Sequence, residues 1–227
     1  MGKMVRLLRG TLWTVVWIAM LVLYQVVQSV VLGIGAHKPI DNMLLVLPAY
    51  VVLYGVLIIA LVWLHGRASH MTVRELLRTT FSRFDRREVK LMVIGIGLFL
   101  IFQLGFDCLV ATKIIALPGN QERLNQSAAL SPVTAYLTSA FAAPVIEELL
   151  FRGLLMNLWH YSKSTTRRWI VLLVVAALFG AAHSIALIPW LLYTFAGAVL
   201  GYVYTATGKL RDSIVVHMFN NAIWSLI

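Results

Sequence analysis

The chain has 227 residues, 60% of them hydrophobic and only 12% charged, with a formal net charge of +10 and a mean hydropathy of +0.86. A soluble domain sits nearer half apolar and a quarter charged, so this composition excludes an ordinary soluble enzyme and indicates a polytopic membrane protein. The positive charge falls in short segments between apolar runs, which argues against nucleic acid as a partner, and the lone Cys108 excludes an intrachain disulfide.

The basic start MGKMVRLLRG is like the head of a signal peptide, but the uncharged run behind it, Thr11 to Ile34, has 24 residues. That is too long for a typical secretory h-region and long enough to span, so a retained first helix is expected. Further apolar runs predict spans at about 43–65, 90–112, 131–158, 169–187, 189–206 and 213–227. The neighbourhood of Pro189 separates the fifth from the sixth, and the last is short for a crossing at about 1.5 Å per residue. The expected fold is therefore an all-α polytopic membrane protein, a bundle of about seven transmembrane helices in one integrated membrane domain.

Between the second and third spans lies MTVRELLRTTFSRFDRRE, residues 71–88. Thr72 and Glu75 fit a capping box. Val73, Leu76, Leu77, Phe81 and Phe84 can share a face opposite arginines, so a cytoplasmic amphipathic helix on the inner leaflet is expected, with a topology-fixing basic loop as the alternative. Membrane lipids are thus expected partners.

Lys and Arg distribution orients the chain. With the N-terminus inside, the cytoplasmic segments hold Lys3, Arg6, Arg9, the basic residues from Arg67 to Lys90, Lys163, Arg167, Arg168, Lys209 and Arg211, fifteen of the 19. Lys38, Lys113 and Arg123 fall outside, and Arg152 is intramembrane. This bias places the N-terminus in the cytoplasm of a multi-pass protein; the short chain and compact loops suggest a bacterial plasma membrane.

The informative residues are the polar ones left within spans. In APVIEELLFRGLL, Glu148 and Arg152 are i,i+4 and can pair, whereas Glu147 points about 100° away without that partner. Pro144 removes a helix hydrogen bond and is expected to open the helix there. The fifth span carries Phe179 and His183 at i,i+4, and the seventh carries His217 and Asn221 at the same spacing. Glu147 and His183 lie about 18 and 22 Å from their cytoplasmic helix ends, His217 and Asn221 about 9 and 15 Å from theirs. Gln25, Gln28, Gln103 and Asn220 are expected to hydrogen-bond neighbouring helices, and Asp107 to be a wetted acid near the outer end of its span.

Charged groups in a bilayer cost several kcal/mol each, roughly 2.5 to 3.5 on insertion scales, so this cluster is expected to be functional. A carboxylate in low dielectric can serve as general base, a facing histidine can share its water, and a His with an Asn one turn away can donate to an oxyanion. These parts suit an amide hydrolase whose nucleophile is water. A catalytic zinc site uses the same residue types, so zinc held by Glu147, His183 and His217 is the alternative; there is no HExxH, and a site without a cofactor is favoured.

EELLFR reads as EExxxR, FGAAH as FxxxH and HMFNN as HxxxN, in order on successive late helices. Over roughly 131–227 this resembles the CPBP family of CAAX-processing and bacteriocin-processing intramembrane proteases, also called the Abi family. The resemblance implies a catalytic core at 131–227 behind N-terminal membrane helices at 1–130. It further implies that Glu147 activates water with His183, that His217 and Asn221 stabilise the oxyanion, and that Glu148, Arg152 and Phe179 support the site. The expected substrate is a peptide bond in a membrane-associated protein or peptide, in CAAX-type processing, peptide maturation or bacteriocin self-immunity. A non-catalytic immunity or regulatory partner, and a proton or cation pathway, are the competing hypotheses.

Overall fold

The structure is a computed structural model that describes residues 3–37, 43–117, 119–159 and 165–224. Lys38, Lys163 and residues 225–227 lie outside the described residues, as do the side chains of Lys3, Arg6, Arg9 and Val73. Among the described residues the elements are all helical. Five helices among the described residues are long and apolar enough to cross a membrane, within Gly10–Ile34, Val46–Ser69, Arg86–Ala111, Thr165–His183 and Leu187–Thr207. They belong to α1 (Lys3–His37), α2 (Met43–Ser69), α4 (Arg86–Ala111), α9 (Thr165–His183) and α10 (Leu187–Thr207). Their outward faces carry bare apolar side chains, with Val56 64%, Ile59 71% and Ile101 71% exposed, as lipid-facing positions require.

The remaining two expected spans differ from simple rods. Residues 131–158 form α6 (Pro132–Leu137), a π-helical segment π1 (Thr138–Ala142), α7 (Ala143–Glu148), a second π segment π2 (Leu149–Met156) and the short α8 (Asn157–Trp159). Proline explains the first break. Ala143 N–H bonds Thr138 O, five residues back, and the next residue, Pro144, has no N–H to offer. This composite helix is the centre of the bundle: Ile146, Leu150, Phe151 and Leu154 are almost fully buried. They pack with Trp17 and Tyr24 of α1, Tyr54, Leu57 and Leu61 of α2 and Leu172 and Val175 of α9 in one core. The last helix, α11 (Leu210–Trp224), has 15 described residues.

Three boundaries depart from expectation. The break between the fifth and sixth spans lies at Ser184–Ala186, ahead of Pro189. Pro189 is accommodated in the first turn of α10, where no intrahelical N–H is needed. The amphipathic segment is helical only as α3 (Val73–Thr80); its Thr72–Glu75 capping box is present, and the Thr72 backbone N–H holds the Glu75 carboxyl below its ordinary range. A second capping box, Asp85 with Glu88, ends the 71–88 segment early by starting α4. The stretch expected as an outer loop contains a polar helix, α5 (Gly119–Leu130).

Two contacts set α9, α10 and α11 in place. A Cβ at Gly197 would stand 3.0 Å from Ala176 Cα and 3.2 Å from Phe179 Cβ, so only glycine lets α10 approach α9 this closely. At the base of α11, Arg211 donates to Thr80 O at 3.2 Å, to Ser82 O and to Glu88 Oε2 at 3.0 Å. Lys209 joins it on Glu88. The helix carrying His217 and Asn221 is thereby fixed to the α3–α4 turn.

Candidate active site

Side chains bond several main-chain carbonyls of the composite helix, and at Ser139 the π turn explains why. Ser139 O gains no bond from Ala143, whose N–H goes to Thr138 O, nor from Pro144. Asn221 Nδ2 donates to it at 2.9 Å. Tyr50 Oη donates to Leu137 O at 2.7 Å and Trp17 Nε1 to Leu150 O at 3.1 Å. Gly153 O meets His65 Nδ1 and Asn157 Nδ2, each at 2.8 Å. A carbonyl only accepts, so His65 carries its proton on Nδ1. These bonds hold the irregular helix that presents Glu147 and Glu148.

The two glutamates divide as their spacing predicts. Glu148 and Arg152 are both fully buried, with Arg152 Nη1 donating to Glu148 Oε1 at 2.8 Å. Arg152 Nη2 donates to Gly197 O at 2.7 Å, and the guanidinium carbon sits 4.9 Å from the Phe179 ring centroid. Glu148 Oε1 also lies 3.0 Å from His217 Nδ1. Glu147 points elsewhere: Tyr24 Oη donates to its Oε1 at 2.9 Å. Its Oε2 lies 3.6 Å from His183 Nε2 and 3.8 Å from His217 Nε2.

The tautomers follow from the partners. His183 Nδ1 is 2.8 Å from Phe179 O, a carbonyl, and His217 Nδ1 faces a carboxylate. Both therefore carry hydrogen on Nδ1 and turn Nε2 towards Glu147 Oε2. Phe179 serves twice, with its carbonyl on His183 and its ring 4.4 Å from the His183 ring and 6.0 Å from the His217 ring, centroid to centroid. Tyr193 stacks on the other side of His183 at 4.7 Å. Glu147, His183, His217 and Asn221 line one cavity of about 660 Å³.

The sequence expectation that Glu147, His183 and His217 could meet is matched in position, and the shallower depth of His217 does not keep it from Glu147. Although these three come together, among the described residues no group of three His, Cys, Asp or Glu side chains is arranged to hold a metal ion.

Other polar residues correct the sequence analysis. Gln25, Gln28, Gln103 and Asn220, expected to bond neighbouring helices, line the cavity instead; Asp107, expected to be a wetted acid, also lines it. Gln103 Nε2 bonds Asp107 Oδ1 on its own helix at 3.2 Å, and Asn220 Nδ2 bonds the adjacent Asn221 Oδ1 at 3.1 Å. Tyr24 was not anticipated at all. One signal was available: Leu21, Tyr24, Gln25 and Gln28 follow i, i+3, i+4, i+7, a part-polar stripe in an otherwise apolar helix.

Residues 129–223 match the family model described as type II CAAX prenyl endopeptidase Rce1-like. Comparison with curated proteins and with solved structures finds no match. The matched segment contains the composite helix and α9 to α11, and so EExxxR, FxxxH and HxxxN, while Tyr24, Gln25 and Gln28 stand outside it. The chain is thus a multi-pass membrane protein whose segment 129–223 is similar to the Rce1-like type II CAAX prenyl endopeptidases, in agreement with the CPBP resemblance of its motifs.

Proposed function

We propose that the protein is a glutamate-dependent intramembrane endopeptidase that hydrolyses a peptide bond in a membrane-associated protein or peptide. The observation that carries this is the convergence of His183 Nε2 and His217 Nε2 on Glu147 Oε2, at 3.6 and 3.8 Å, in the wall of an open cavity. A water in this recess donates one hydrogen to Glu147 Oε2 and the other to His183 Nε2, leaving a lone pair for the substrate carbonyl. As the water oxygen bonds to carbon, its proton passes to Glu147, which delivers it to the departing amine. His217, in its doubly protonated form, keeps Nδ1–H on Glu148 and offers Nε2–H to the oxyanion. Asn221, which lines the same cavity and bonds Ser139 O, is the second donor. Glu148, Arg152 and Phe179 fix the histidines.

The Lys and Arg bias supports a cytoplasmic N-terminus, and the short chain and compact loops favour a bacterial plasma membrane. The arginine-rich α3, whose Leu77 is 53% exposed and is followed by Phe81 at 80%, lies on the inner leaflet. The biological task is CAAX-type tail processing, peptide maturation or bacteriocin self-immunity. The test is cleavage of a membrane-associated peptide by the purified full chain, repeated with a strong chelator. Cleavage unchanged by the chelator is expected; cleavage abolished by it and restored by zinc would overturn the metal-independent mechanism.

A further inference from the structure

The cavity extends well beyond the reacting groups, and its walls are chemically one-sided. Gln25, Gln28, Gln103, Gln121, Asn125 and Asn220 supply side-chain amides around it. Among the described residues its charged lining side chains, apart from the histidines, are Glu147 and Asp107; neither lysine nor arginine lines it. Lys113 and Arg123, close to its mouth in sequence, are exposed and off the lining. Side-chain amides both donate and accept and so suit a peptide main chain, whereas a substrate carboxylate placed here would meet acids without a cation.

The distance of Asp107 from the reacting groups is fixed by α4. Its cavity-lining residues Phe99, Phe102, Gln103, Phe106 and Asp107 are spaced i, i+3, i+4, i+7, i+8, a single helical face. Phe99 shares one buried cluster with Leu200 and with Val216, the neighbour of His217, and lines the same cavity as His217, so the lower end of this face lies on the side of the reacting groups. Asp107 stands about 12 Å further along at ~1.5 Å per residue. An extended peptide covers that in three to four residues at about 3.3 Å each. The cavity lining also includes Leu117, Gln121 and Asn125, from α5 and the segment before it.

We infer that Asp107 is a specificity residue: it receives a cationic group of the substrate, a lysine or arginine side chain or a free α-amine, three to four residues from the bond that is cut. The inference rests on the hydrolytic proposal for its geometry, since it places the peptide between Glu147 and Asp107. Glu147 is engaged by Tyr24 and faced by both histidines, which leaves Asp107 as the acid for a substrate charge.

The test uses the full-length protein in detergent and a peptide found to be cut in a mixture, remade with blocked ends and with Ala, Lys or Glu at each position within four residues of the cut. A separate arm uses a lysine-free peptide with its N-terminus free or acetylated, which distinguishes a side chain from an α-amine. Lys at one position, or the free amine, is expected to raise kcat/KM over Ala by about tenfold, chiefly through KM, as a hydrogen bond to a charged group would. Asp107→Asn should bring that ratio to about one and Asp107→Lys should turn it in favour of Glu, while Asp107→Glu keeps it. Wild type without a preference at any position or terminus, or Asp107→Asn with an undiminished one, would overturn the inference. If no peptide is cut, the hydrolytic proposal fails, but binding of Lys and Glu peptides to the Glu147→Gln protein still decides this one: equal affinity overturns it.

Discussion

Tyr24 Oη donates a 2.9 Å hydrogen bond to Glu147 Oε1 across 123 positions of sequence. The bond engages one carboxylate oxygen and leaves the other facing the two histidines. It also joins the first helix to the segment that carries the three motifs. Tyr24→Phe keeps the ring in the core and removes only the donor. Without it Glu147 is no longer held towards the histidines, so turnover should fall by about tenfold or more, and the lost hydrogen bond to a charged group, worth about 1.5–3 kcal/mol, should lower the melting temperature by a few degrees. Full activity in Tyr24→Phe would show that the bond does not position the base.

Arg152 and Glu148 form the pair that makes a charged site tolerable in this core. Removing one partner of a buried pair costs about 3–5 kcal/mol, because the other charge is left uncompensated. Arg152→Leu should therefore lower the midpoint of thermal unfolding in detergent sharply, and Glu148→Gln with Arg152→Leu should recover part of the loss. A double variant no more stable than the single would contradict the assignment of Glu148 to structural pairing.

Gly197 tests the packing that holds Phe179 and His183 in place. Its surroundings leave no room for a side chain, so Gly197→Leu should destabilise by about 1–3 kcal/mol or more through overpacking. Gly97, which has nothing within 4 Å of an added Cβ, is the control and should accept Leu with little change. Equal unfolding midpoints for the two variants would argue against the close α9–α10 contact.

The sequence disclosed what depends on periodicity and local spacing. Apolar runs showed the membrane helices, and i,i+4 spacing paired Glu148 with Arg152 while leaving Glu147 aside. Two kinds of information were out of reach. A π-helical turn keeps the apolar pattern of an α-helix, so Pro144 signalled a break in residues 131–158 but not the π geometry or Asn221's bond to Ser139 O. A part-polar stripe such as Leu21, Tyr24, Gln25 and Gln28 marks a face of α1 but does not name its partner on a distant helix, so the Tyr24–Glu147 bond was out of reach. Glutamines facing a cavity carry the same pattern as glutamines between helices, so Gln25 and Gln28 were misassigned.

The central claim is that Glu147 activates water with His183. Cleavage of one membrane-associated peptide by wild type, Glu147→Gln and His183→Ala, each checked for helix content and unfolding midpoint, tests it most directly. General-base catalysis contributes about 10²–10⁴-fold, so both variants should fall by at least that factor while remaining folded. A folded Glu147→Gln protein that cuts the peptide at the wild-type rate would contradict the account.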